Sequence, residues 1–174
     1  VCSSDLVSLC KIATKWYAKK LLTEKTYKEI YVDLEFSTND LACDEDGAVV
    51  WNDTNIRGRD YTMTIRPNLG IRSTLLSIAH EMVHVKQYAH GELVDYIHSS
   101  KTNKCRWRGK IRNNYDNPIE YWDMPWEIEA HGWEKGLYYQ FLAHHQEYQK
   151  LFKRKRRSEE HTSELQSHSF ISYA

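Results

Sequence analysis

The sequence predicts an α+β domain, with an N-terminal helix, a small antiparallel sheet of about three strands, and two long helices after it. Three observations carry this. Apolar residues recur at helical spacing in 7–22, in 71–90 and again from Trp126 onward. Residues 29–37 alternate apolar and polar, the mark of a half-buried strand. Two more short strand patterns follow directly, and three strands in succession favour an antiparallel meander.

Each element has its own grounds. The first helix rests on Leu9, Ile12, Ala13, Trp16, Tyr17 and Leu21. The first strand sets Ile30, Val32, Leu34 and Phe36 against Tyr31, Asp33 and Glu35. A polar loop follows over 38–47. Further strands are expected at 48–53 and 60–66, with a turn near 55–58. Pro67-Asn68-Leu69-Gly70 ends this pattern. The helix over 71–90 carries a stripe of Leu75, Ile78, Ala79, Met82, Val85 and Ala89, with Gly91 as its stop. Residues 105–112 read as a short strand or hairpin, and 113–118 as a turn. The last helix opens at Asp123-Met124-Pro125, with Asp near the N-cap and Pro in the first turn. It is expected to reach about Lys153, with Trp126, Ala130, Trp133, Leu137, Phe141, His144 and Tyr148 on its core face.

Composition bounds the rest. The chain has 174 residues, which fits one domain. With 41% hydrophobic and 13% aromatic residues it is too apolar for a disordered chain. No apolar run approaches the roughly 20 residues that span a bilayer. Lys+Arg and Asp+Glu number 24 each, so net charge gives no reason to expect a nucleic-acid partner. The basic run at 153–156 reads as a solvated helix end.

The two ends stand apart. Residues 1–6 (VCSSDL), 157–167 (RSEEHTSELQS) and 171–174 (ISYA) resemble translated sequencing-library adapters. Segments 1–6 and 157–174 are therefore expected to be adapter-derived, and 7–156 the single domain. That domain is mildly basic, because Arg157 leaves together with Asp5, Glu159, Glu160 and Glu164. It keeps Cys10, Cys43 and Cys105, with no CxxC spacing. Neither a disulfide framework nor a zinc ribbon is expected, and a reducing, cytoplasmic compartment is.

The chemistry lies in His80-Glu81-Met82-Val83-His84, an HExxH motif inside the 71–90 helix. Residues four apart share a helix face, so His80 and His84 can both reach one metal ion. Glu81 is offset by one residue and can instead act as general base on a metal-bound water, whose pKa zinc brings toward 7. A catalytic site needs a third protein ligand and an open position. His90 occupies the third-histidine place of HExxHxxGxxH, but Gln87 stands where that pattern needs Gly. His98 falls in a loop. Glu127 and Glu129 flank the core stripe of the last helix about equally, and helical-wheel geometry does not separate them. Ala130 is small enough to let that helix approach closely, and His131 can orient a ligand. Tyr121 and His131 are also candidates for stabilising an oxyanion. Tyr121, Trp122, Trp126 and Trp133 either line a cleft or belong to the core.

HExxH on one helix with Glu-x-x-Ala on a later one resembles the zinc peptidases whose third ligand is glutamate, the gluzincins. It is similar in particular to their small single-domain members, the SprT-like and ImmA/IrrE-like proteins of phages and bacteria. The resemblance covers about residues 28–150. It implies a zincin-like fold, a bound Zn2+, Glu127 as third ligand beside His80 and His84, and hydrolysis of a polypeptide substrate. It also departs from the family: His131 stands where Asp is common, and some SprT-like proteins use a third His, which keeps His131 open as a ligand. The edge of the sheet before the 71–90 helix is expected to take an extended peptide as an added strand. The rival expectation is a non-catalytic zinc-containing module that binds peptide or protein, with a closed four-ligand shell completed by His131 or Glu129.

Overall fold

The computed structural model describes residues 4–39, 41–43, 45–54, 56–95, 104–113 and 118–146. His98, Tyr148, the 153–156 run and the 157–174 segment lie outside them. The elements in order are α1 (Ser4–Leu21), α2 (Glu24–Glu29), β1 (Tyr31–Phe36), β2 (Gly47–Trp51), β3 (Asp60–Ile65) and α3 (Ile71–Ala89). Then come β4 (Leu93–Asp95), β5 (Lys104–Trp107), β6 (Lys110–Asn113), α4 (Pro118–Asp123) and α5 (Pro125–His144). Among the described residues the architecture is mixed α+β, with two three-stranded sheets. Among the described residues no helix is long and apolar enough to cross a membrane.

The first sheet corrects the expected meander. Its order is β1-β3-β2, with β1 parallel to β3 and β2 antiparallel to it. The last of the three strands is therefore the central one. Side-chain chemistry explains the order. β3 buries Tyr61, Met63 and Ile65 on one face and Thr64 on the other, as a strand covered on both sides must. β1 leaves Tyr31, Asp33 and Glu35 exposed, and charges of that kind blunt a sheet edge. Arg66 ties down the long β1–β2 connection, donating to the Glu45 carbonyl at 2.8 Å and the Ala42 carbonyl at 2.6 Å.

α3 is the centre of the domain. Its predicted stripe is fully buried, and α1, α5, β2 and β3 all pack against it. Gly91 follows it at φ +67°, a left-handed turn that suits glycine. On α1 the buried face is Leu9, Cys10, Ala13 and Tyr17, rotated from expectation so that Ile12 is exposed. The helix starts at Ser4, inside the segment expected to be adapter-derived.

The second sheet is an antiparallel β4-β5-β6 meander. Its hairpin turns through Arg108 at φ +46° and Gly109 at φ +84°. Leu93, Cys105 and Trp107 pack with Trp126 in a second small core. The Trp107 and Trp126 rings lie 6.1 Å apart and pin the start of α5.

α5 departs from the sequence reading in three ways. Asp123 ends the separate helix α4, and the N-cap position belongs to Met124, with no side-chain cap. The helix ends at His144. Its inner face is Trp126, Glu127, Ala130, Leu137, Tyr138 and Phe141, whereas Trp133 and His144 are exposed. The buried arc is centred one position later than the Trp126–Trp133 line, which brings Glu127 and Glu134 toward α3.

Candidate metal centre

α3 and α5 bring the predicted donors together. His80 and His84, one turn apart on α3, place their Nε2 atoms 3.2 Å from each other. Glu127, in the first turn of α5, places Oε2 3.3 Å from His80 Nε2 and 3.4 Å from His84 Nε2. All three residues are buried. Trp126 anchors the approach of α5, and Ala130, fully buried one turn on, leaves room for it. Glu129, which the helical wheel does not separate from Glu127, does not reach this centre. It bonds to Lys86, Gln87 and Arg108 on the other flank.

His131 lies beside the centre. Its ring is 4.4 Å from that of His80, and Trp122 stacks on it at 4.9 Å. His80, Glu127 and His131 form a group able to hold a metal ion, with ligand atoms all within 4.8 Å of one another. His84 is not in that group with His131, but its Nε2 lies 3.2 Å from His80 Nε2 and 3.4 Å from Glu127 Oε2. His131 Nε2 is buried and has no hydrogen-bond partner among the described residues. His90 caps the end of α3 and is not part of the group.

Outer partners settle the tautomers. His80 Nδ1 lies 3.1 Å from Glu134 Oε2, and His131 Nδ1 lies 3.2 Å from the same oxygen. An ionised carboxylate only accepts, so both Nδ1 atoms carry protons. His84 Nδ1 lies 2.8 Å from Gln87 Oε1. Tyr121 donates its hydroxyl to Glu127 Oε2 at 2.6 Å. Glu134 and Gln87 escaped the sequence reading. Glu134 lay in reach of it, three residues past His131 and seven past Glu127. Gln87 was noticed only as the absence of a glycine.

The donor set fits a metal. A four-coordinate ion with bonds of about 2.0–2.1 Å spaces its ligands about 3.3 Å apart. The three separations among His80, His84 and Glu127 match that edge length. Three acceptor atoms converging in a buried place repel one another unless a cation or protons lie between them.

Electrostatics agree. Burial opposes the His80 imidazolium, but hydrogen bonds to Glu127 and Glu134 outweigh it and raise its pKa to about 10. His84 is raised too, burial being outweighed by Glu127. Burial would raise Glu127, yet bonds from His80 and His84 hold it well below the usual carboxylate range. Glu134, opposed by its own burial, is held at about 2 by His131 and His80. Glu81 is raised chiefly by burial, with His84 and His80 pulling it down. It lies against the start of β2: a Cβ on Gly47 would sit 3.3 Å from its Cγ and Oε1.

A pH dependence follows for metal-free protein. His80 has a raised folded pKa, so its contribution is full below 6.5 and is lost as pH rises toward about 10. Glu127 has a lowered folded pKa, so its contribution is present above 4.5 and is lost as pH falls. Thermal melts with chelator should therefore show stability falling on both sides of a mildly acidic optimum. A flat profile between pH 6.5 and 10 would contradict the paired cluster.

No protein-family model matches the chain, and no curated protein or solved structure matches it.

Proposed function

We propose that the protein is a zinc-dependent metallopeptidase in which His80, His84 and Glu127 hold the ion and Glu81 is the general base. The supporting observation is the tetrahedral spacing of those three donors, with Glu81 buried beside them on the same helix. Mixed imidazole and carboxylate donors at that spacing favour zinc among divalent ions. When bound, zinc supplies Lewis-acid activation of water and of the scissile carbonyl.

The chain's own residues do the rest. Glu81 takes the proton from the attacking water and returns it to the leaving amine. Burial raises its proton affinity, against the pull of His84 and His80. Tyr121 donates a hydrogen bond from its hydroxyl to Glu127, so its first task is to hold that ligand. His131, whose Nδ1–H faces Glu134, stabilises an oxyanion only when its Nε2 is protonated as well. The substrate is an extended polypeptide. β2 is a sheet edge, and a Cβ on Gly47 at its start would meet Glu81 at 3.3 Å, so a strand added to β2 would pass near the base.

One observation favours a second reading. His131 Nε2 is buried without a hydrogen-bond partner, and His131 groups with His80 and Glu127. If it fills the fourth position, the centre is closed and the protein binds peptide or protein without cutting it.

Zinc per chain after dialysis, paired with a general peptide-hydrolysis assay, tests the proposal. Near-stoichiometric zinc with hydrolysis that stops on chelation is expected. Bound zinc with no hydrolysis favours the closed centre, and a folded protein without zinc overturns both readings.

A further inference from the structure

The flank of the centre facing away from Glu134 holds a chain of bonds with one direction. Gln87 is 0% exposed and lies one turn beyond His84 on α3. Its Nε2 donates to the Trp126 carbonyl at 3.0 Å and to Glu129 Oε2 at 3.0 Å. A carbonyl and an ionised carboxylate can only accept, so the amide cannot be turned round. Its Oε1 must therefore face His84 Nδ1, which it does at 2.8 Å.

Glu129 is itself clamped. Lys86 and Arg108 both donate to its Oε1, at 3.1 and 2.9 Å, leaving Oε2 for Gln87. Glu92 joins the same two cations at 2.8 and 3.3 Å. Arg108 comes from the β5–β6 turn, so the second sheet takes part in holding a residue on α5.

We propose that Glu129, acting through Gln87, is a positioning residue that fixes His84 as its Nδ1–H tautomer and keeps Nε2 a bare lone pair toward the centre. The proposal rests on the metal-centre reading above. With the amide reversed, its NH2 would face His84 Nδ1 and shift the ring proton to Nε2, where it would block the ion. Outer partners of this kind contribute about 10–100-fold to metal affinity.

The test is zinc affinity of the full chain, by competition with a chromophoric chelator, beside thermal melts of the metal-free protein. Gln87→Leu and Glu129→Leu should each weaken zinc binding, the former by about 10–100-fold. The exchanged pair Gln87→Glu with Glu129→Gln restores an acceptor for His84 and a donor toward position 87. It leaves the Trp126 carbonyl without a donor, so it should recover only part of the zinc affinity that Gln87→Leu loses. If Gln87→Leu does not fold, Glu129→Leu decides, since that side chain is 17% exposed and not in the core. Melting temperatures that fall while zinc affinity stays unchanged would mean a purely structural role and overturn the proposal. An exchanged pair that binds as weakly as Gln87→Leu would overturn it too. Absence of zinc from the unaltered chain instead sinks the metal centre, and the relay with it.

Discussion

Glu81→Gln should leave zinc content unchanged and lower peptide hydrolysis by about 10²–10⁴-fold, the usual worth of a positioned general base. The amide matches the carboxylate in size, so the packing against Gly47 survives. It cannot accept a proton from water, and that is the function removed. The change also deletes a buried charge, so metal-free stability should not fall. Single-turnover rates with zinc measured on the same sample check this. Hydrolysis at the unaltered rate would remove Glu81 from the mechanism.

Glu127→Ala should abolish stoichiometric zinc binding. It removes one of three donors, and the loss should exceed the about 10–100-fold expected for any outer partner. It also leaves the two Nε2 atoms 3.2 Å apart with no carboxylate to balance a shared proton, and the Tyr121 hydroxyl without its acceptor. Glu129→Ala is the matched control, because the two glutamates look alike on a helical wheel. Zinc should fall modestly there and collapse in Glu127→Ala. The reverse order would place the third ligand wrongly.

How much of this was legible beforehand depends on whether the signal was local. The α3 stripe from Leu75 to Ala89 is periodic over about four turns, and every member is buried. HExxH needs only that helix, so the positions of His80, Glu81 and His84 followed. The sheet order was hidden, because alternation marks a half-buried strand without naming its neighbour. Parallel pairing of Tyr31–Phe36 with Asp60–Ile65 is a long-range fact. The six-residue helices α2 and α4 are too short for periodicity to register. The α5 phase was misjudged because Trp126 and Trp133 look like one apolar line. The second is displaced outward by the polar group His131 and Glu134, whose partner His80 lies on α3. Gln87 and Glu129 were invisible as a pair, since their meeting requires α3 and α5 to be docked first.

The burial of α3 has a further consequence. Twelve of its residues are buried, so the amides of that buried stretch should exchange mainly through large-scale opening of the domain. Two of the three proposed metal donors sit on that helix, and the third is on the helix packed against it. An ion held there is coupled to the cooperative unfolding transition and not to a fraying segment. Its binding free energy should appear as slower hydrogen exchange across the entire hydrophobic interior.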